Sequence, residues 1–164
     1  MKVVKADAQR LGFEIGHSEK LLLFRLLTLY PMIGAQHQPL SRGETKPDDQ
    51  ALLETALASQ RAHNKRCLDG MMQATDRFRR NAQGWRFSLK RTEAEWLLQV
   101  LNDIRVGSWV RLGSPDPPGA VLATLDARNV PLFWAMEVAG RFQMALIHAL
   151  SGGETSAPDW PPVP

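Results

Sequence analysis

The sequence predicts a mainly α fold, a bundle of four to five helices with one small two-stranded sheet. Apolar residues recur at spacings of three and four along most of the 164-residue chain, which is typical of amphipathic helices. Two short segments, 13–15 and 86–90, alternate polar and apolar side chains as half-buried strands do. Residues 2–10 contain the apolar pair Val3-Val4 and either form an edge strand or fray. We expect residues 1–150 to form a single helical domain and the Pro-rich residues 151–164 to form a disordered tail.

Two helices are predicted in the first half of the chain. The first is capped by Ser18 and runs to about Tyr30, because leucines dominate this segment and Pro31 follows it. The second runs from about Pro47 to Met72, and proline is favoured in the first turn of a helix. Its apolar stripe thins between residues 61 and 66. There the helix either projects into solvent or lays a polar face along another element.

The second half of the chain predicts a long amphipathic helix, a short one and a largely apolar one. The long helix spans Thr92 to Leu112, and Thr92 and Glu95 have the spacing of a capping box. A short helix is expected at 120–127. The last helix opens at Asn129 and is apolar nearly all round, so it should lie centrally. Gly140 in its middle indicates a close helix crossing.

One internal echo links the two strand segments. Residues 13–27 repeat the pattern of residues 87–101, so that Phe13 corresponds to Phe87 and Glu19 to Glu93. Each copy reads as a short strand, a helix start and a leucine-rich helix. The echo predicts two strands that pair and that each lead a helix into one core. A chance match is the alternative, because strand–cap–helix is a common pattern.

Charge and cysteine content indicate the compartment and the kind of partner. The net charge is +3, but residues 61–91 carry nine basic and two acidic side chains, whereas residues 92–164 carry four and eight. Such an asymmetry concerns partners and not the fold. The single Cys67 excludes an internal disulfide. With no apolar signal-peptide core, and with the longest apolar run too short to span a bilayer, we expect a cytoplasmic protein that does not enter membranes.

The sequence carries no common catalytic or phosphate-binding motif. It lacks a Walker A loop, a G-x-G-x-x-G segment, a G-x-S-x-G elbow and an H-E-x-x-H motif. Its four histidines lie in four different segments, and none has a second ligand at the spacing that structural zinc requires. We therefore predict no metal, no cofactor and no catalytic residue. An enzyme built on Asp103, Arg105 and Glu137 is the weakest of three functional hypotheses.

A basic segment with two aromatic residues is the clearest chemical signal. Arginine and aromatic side chains together can hold a nucleic-acid backbone and stack on bases. An acidic protein partner would use the same charges, and a solvated basic surface is the plainer alternative. Phe78 lies within the segment. The candidate partner- or nucleic-acid-binding residues are Arg77, Arg79, Arg80, Trp85, Arg86, Lys90 and Arg91.

The block LNDIRVGSWVRLG (Leu101 to Gly113), preceded by FSLKRTEAEWLLQV, resembles part of an uncharacterised bacterial domain-of-unknown-function family. Members of that family are often encoded near the Clp protease adaptor. The resemblance implies a helical cytoplasmic protein without assigned catalytic residues, and it hints at regulated proteolysis. The leading hypothesis is a non-enzymatic interaction or regulatory protein with a protein partner, such as a Clp-protease component. A nucleic-acid-binding regulator that uses residues 77–91 is second. The oligomeric state stays open.

Overall fold

The computed structural model describes residues 1–33, 47–115 and 125–152, and within them the chain is α+β. A four-stranded antiparallel sheet packs with α-helices on one side. A 3-10 helix at Thr75–Arg77 precedes the third strand. The strands and helices are β1 (Lys2–Ala6), β2 (Arg10–Ile15), α1 (His17–Leu27), α2 (Pro47–Gln73), β3 (Arg79–Asn81), β4 (Gly84–Lys90), α3 (Arg91–Arg111) and α4 (Val130–Leu150).

The predicted mainly α bundle with a two-stranded sheet is therefore wrong. The sheet has the order β1-β2-β4-β3, and the two predicted strands are its central pair, β2 and β4. Neither edge strand belonged to the predicted pair: residues 2–10 were left open as an edge strand or a frayed end, and no strand was predicted at 79–81. In β1 the pairing with β2 is irregular between Val3 and Lys5, which breaks the alternation of side chains. β3 consists of three polar residues and carries no apolar alternation at all.

The pairing predicted from the internal echo is confirmed. β2 and β4 are antiparallel neighbours in which Phe13 lies directly opposite Phe87. Their rings stack with centroids 5.3 Å apart. Each strand runs almost directly into a helix, β2 into α1 and β4 into α3. The Phe13–Phe87 pair thus lies at the centre of two matching strand–helix units.

Helix boundaries follow the prediction closely, but the predicted caps are wrong. α1 ends three residues before Tyr30, and the other three long helices begin and end within two or three residues of the predicted positions. The N-cap of α3 is Lys90, whose N–H donates to Glu93 Oε2 at 2.7 Å, and not Thr92. The N-cap of α1 is likewise Gly16, whose N–H donates to Glu19 Oε2 at 2.9 Å.

The core lies between one face of the sheet and helices α1, α3 and α4. All of these helices contact the sheet, and α3 and α4 share the most extensive helix–helix contact. Burial of apolar surface here is the main stabilising contribution. The six buried apolar residues of the sheet are Val3, Leu11, Phe13, Ile15, Phe87 and Leu89.

Helix α2 packs against α3 through its second half only. Buried Asn64 donates to Gln99 Oε1 of α3 at 3.1 Å, and Gln60 Nε2 donates to the same oxygen at 3.1 Å. Of the two alternatives left open where the apolar stripe thins, the helix therefore lays a polar face along another element, α3. The first half of α2 is exposed, with Leu52 70% accessible.

Two further predictions fall largely outside the described residues. These are the short helix at 120–127 and the tail from residue 153 onward. Residues 151 and 152 form a turn that follows α4. Of the helices in the described ranges, none combines the length and the apolar character needed to cross a membrane.

Candidate functional site

The second face of the sheet carries a row of charged residues that crosses all four strands. Residues opposite each other in antiparallel strands point to the same face. Glu14 of β2 lies opposite Lys2 of β1 and opposite Arg86 of β4. Arg86 in turn lies opposite Arg79 of β3. With strands about 4.8 Å apart, this row is roughly 14 Å wide.

Two shorter rows lie beside the first on the same face. Gly12 of β2 lies opposite Lys5 on one side and Ser88 on the other. Arg10 lies opposite Lys90 at the end of the central pair, and Arg10 Nη1 donates to Ser88 Oγ at 3.1 Å. We call this surface the open face. It comprises Lys2, Lys5, Arg10, Gly12, Glu14, Arg79, Asn81, Arg86, Ser88 and Lys90.

The open face is strongly basic. Its six cationic side chains come from all four strands and are exposed, whereas it carries a single carboxylate. That carboxylate, Glu14, is engaged: its Oε1 accepts from Arg86 Nε at 3.2 Å and from Asn81 Nδ2 at 3.1 Å. Exposed ion pairs of this kind contribute little to stability. Lys5 is also paired, because its Nζ lies 3.4 Å from Asp7 Oδ2 in the β1–β2 turn. The positive charge available to a ligand therefore comes chiefly from Lys2, Arg10, Arg79 and Lys90.

Three of the seven predicted site residues lie together on the open face, namely Arg79, Arg86 and Lys90. Arg80 and Trp85 are cross-strand partners, and each lies next to an open-face residue in its strand. Their side chains therefore point to the helix side of the sheet. A continuous basic segment thus splits between two faces, because successive residues of a strand alternate.

The aromatic residues of the segment are not placed to stack on bases. Phe78 is 5% accessible and packs on Phe24, with ring centroids 5.2 Å apart. Trp85 is half-buried, and the Lys20 ammonium lies 3.5 Å from its ring centroid as a cation–π partner. Burial there lowers the pKa of Lys20. The expected combination of arginine contacts with base stacking at these two aromatics therefore does not match the geometry.

Arg77 and Arg91 form hydrogen bonds that connect different elements of the fold. Arg77 Nη2 donates to Glu93 Oε1 at 2.8 Å, next to the start of α3. Arg91 Nη1 donates to the Asp7 carbonyl at 3.1 Å, and its Nη2 donates to the Leu150 carbonyl at the end of α4. Arg91 thereby joins the β1–β2 turn to α4.

Sequence reasoning missed Lys2, Lys5 and Arg10, which supply half of the cations on the open face. The turn between β1 and β2 was the available signal. Asp7 Oδ1 accepts from the N–H of Gln9 at 2.9 Å and of Arg10 at 2.7 Å, as Asp does in tight turns. These two backbone hydrogen bonds hold the pKa of Asp7 below its ordinary value.

Asp103 and Arg105, two residues of the enzyme hypothesis, point to different sides of α3. Asp103 Oδ1 accepts from the N–H of Met32 at 2.7 Å, and burial raises the pKa of this carboxyl above its ordinary value. Arg105 lies two residues along α3, about 200° around its axis, and its side chain passes Gly140 of α4. Glu137 is exposed. Asp103 is thus a structural acceptor that lies apart from Arg105.

Within the described residues, no group of three His, Cys, Asp or Glu side chains could hold a metal ion. Comparison of the chain with protein-family models, with curated proteins and with solved structures found no match. The resemblance of Leu101–Gly113 to a bacterial family, and the link to the Clp protease that it implies, stay predictions.

Proposed function

We propose that this protein is a non-enzymatic regulator that binds nucleic acid by its phosphate backbone through the open face. The observation that carries the proposal is the array of six exposed cations from four strands, of which only Lys5 and Arg86 are held in exposed ion pairs within the described residues, with Asp7 and Glu14. Lysine and arginine that neutralise phosphates release counterions, and this release drives sequence-independent binding.

A nucleic-acid backbone fits the open face better than an acidic protein does. Protein interfaces are usually centred on aromatic or large apolar anchors within a polar rim. The centre of the open face has Gly12 and Ser88 instead, and none of its ten residues is aromatic. Arginine is also well suited to phosphate, because its planar group can donate two hydrogen bonds at once.

Fluorescence anisotropy with labelled DNA and RNA oligonucleotides tests the proposal. We expect the logarithm of the binding constant to fall linearly with the logarithm of the salt concentration between about 50 and 200 mM. The double variant Arg10→Gln with Lys90→Gln removes two phosphate contacts. Its slope on duplex DNA should be shallower by roughly 2, since each contact contributes about 0.9.

Arg66→Gln with Arg128→Gln is the matched control. It removes the same charge from exposed positions on α2 and ahead of α4, away from the sheet. Equal weakening by both double variants would show that net charge alone matters and would reject the open face as the site. No binding at low salt, or binding that ignores salt, would refute nucleic-acid recognition. Salt-dependent binding to polyglutamate alone would indicate an acidic protein partner.

A further inference from the structure

The side of α4 that faces away from the core carries large apolar residues. Trp134 is 44% accessible, Met144 is 67% accessible, and Ile147 is also exposed. The half-buried Phe133 ring lies edge to face with Trp134, with centroids 6.3 Å apart. Single exposed apolar residues are ordinary on protein surfaces, but several large ones on one side of a helix indicate an interaction surface.

The exposed residues of α4 follow a heptad spacing. From residue 130 they recur at alternating intervals of four and three, which aligns them in one seam along the helix. The opposite side of α4, with Ala139, Phe142 and Leu146, is buried in the core. We call the exposed row the α4 seam. Its exposed or half-buried residues are Val130, Trp134, Glu137, Arg141, Met144 and His148.

The α4 seam is complementary to itself when two copies run antiparallel. A two-fold axis beside residue 139 places residues at equal distances from that position opposite each other. Trp134 then faces Met144 of the partner copy, and a methionine sulfur packs favourably against an aromatic ring. Glu137 faces Arg141 of the partner copy, so two pairs of opposite charge flank the axis. A guanidinium has five donors, so Arg141 can serve this carboxylate in addition to an acceptor in its own chain.

Gly140 lies beside the axis, on the flank of the α4 seam. A glycine within a helix costs about 1 kcal/mol relative to alanine. Among the described residues, the atom nearest to an added Cβ is Arg105 Nε at 3.7 Å, which is an ordinary contact. Packing within one chain therefore does not require glycine here, whereas the crossing of two copies would gain a closer approach from it. On the same flank, Phe133 comes within one helical turn of Ile147 of the partner copy.

We propose that the α4 seam is the interface of a homodimer, in which two copies of α4 pack antiparallel about a two-fold axis beside residue 139. A two-fold interface uses the same surface on both copies, as the symmetric order of the seam allows. Aromatic residues and methionine are typical of interface cores, and the paired charges fix the register. A second copy suits this surface because each group in the seam finds its complement within the seam. The inference is independent of the proposed function, since no seam residue belongs to the open face.

Sedimentation velocity of the full chain at increasing concentration tests the proposal. We expect a monomer–dimer equilibrium with a Kd on the order of micromolar, because one helix from each copy forms a small interface. Met144→Lys places a charge against Trp134 of the partner copy and should raise the Kd about tenfold or more. Leu52→Lys is the matched control, because it makes the same change at an exposed position of α2. It should leave the Kd unchanged.

The two central charges test the antiparallel register. Glu137→Arg brings like charges together across the axis and should raise the Kd about tenfold. Glu137→Arg combined with Arg141→Glu restores opposite charges and should return the Kd towards the wild-type value. Circular dichroism checks that each variant is folded, and Met144→Lys decides the matter if the exchange of charges is not tolerated.

Three results would overturn the proposal. The first is a chain that stays monomeric up to about 1 mM, a concentration at which even a weak specific dimer forms. The second is a dimer that dissociates with Leu52→Lys but not with Met144→Lys, because its interface would lie on α2. The third is a monomer that binds phosphatidylcholine vesicles and loses this binding with Met144→Lys, which would assign the α4 seam to a lipid surface.

Discussion

Gly107 lets α3 pack closely against Met32, because its side chain is only a hydrogen atom. A Cβ at this position would lie 2.5 Å from Met32 Cβ, closer than real side chains approach. Met32 cannot move away easily, because Asp103 accepts its N–H at 2.7 Å and Arg111 Nη2 donates to its carbonyl at 3.2 Å. The sequence pointed to Gly140 as the close crossing, yet there an added Cβ would meet only Arg105 at 3.7 Å.

Gly107→Ala should therefore destabilise the protein by about 1–3 kcal/mol, even though alanine is the better helix former. Gly70 of α2 is the matched control, because a Cβ there meets nothing within 4 Å. Gly70→Ala should stabilise by up to about 1 kcal/mol. Urea unfolding followed by circular dichroism measures both. A Gly107→Ala protein as stable as Gly70→Ala would disprove the steric account.

At the scale of elements, the two strand–helix units share a detailed capping arrangement. The glutamate at the third position of each helix accepts the N-cap N–H with one oxygen and binds a cation with the other. The cation is the Met1 amino group for Glu19 and Arg77 for Glu93. In both helices the negative charge also faces the positive end of the helix dipole.

The start of α3 should give a pH-dependent contribution to stability. Burial of Glu93 opposes its ionisation, but the hydrogen bonds from Arg77 and from the Lys90 N–H outweigh it and lower the pKa below 4.5. Because the pKa is lower in the folded state, the contribution is present above pH 4.5 and is lost as the pH falls through the folded-state pKa. Glu93→Gln should cost about 0.5–2 kcal/mol at neutral pH.

Urea titrations of wild type and Glu93→Gln across the acid range measure this effect. The difference in unfolding free energy should shrink on acidification. Glu95→Gln is the control, since Glu95 is an exposed residue of the same helix and loses the same charge. A Glu93→Gln difference that does not change with pH would contradict the role assigned to the carboxylate.

The features of the fold that could be predicted from sequence are those with a regular local pattern. The central strands and the long helices were found because their apolar periodicity is regular. The caps were displaced because β4 stays paired up to Lys90, opposite Arg10, so α3 begins without a connecting loop. Half of the cations of the open face were missed because Lys2, Lys5 and Arg10 are distant in sequence from Arg79 and Arg86. Only the register of the sheet brings them together.

In the whole molecule, the fold places much of the positive charge of the sequence on one side. The cations of the open face lie on one side of the sheet, and the helices lie on the other. Under the proposed function a polyanion would approach this side, and such a field raises the rate of association as well as the affinity. This directional field follows from the fold and could not be obtained from counts of charged residues along the chain.

The central Phe13–Phe87 pair also has a consequence for the order of folding. The two residues are 74 positions apart, so the middle of the sheet forms only after a long loop closes, whereas the β1–β2 and β3–β4 hairpins are local. Because non-local contacts slow folding, we expect closure of this loop to belong to the rate-limiting step. In stopped-flow measurements Phe13→Leu should mainly slow folding, and Val3→Ala at the sheet edge should mainly speed unfolding. The reverse pattern would indicate that the edge hairpin forms before the strands that define the centre.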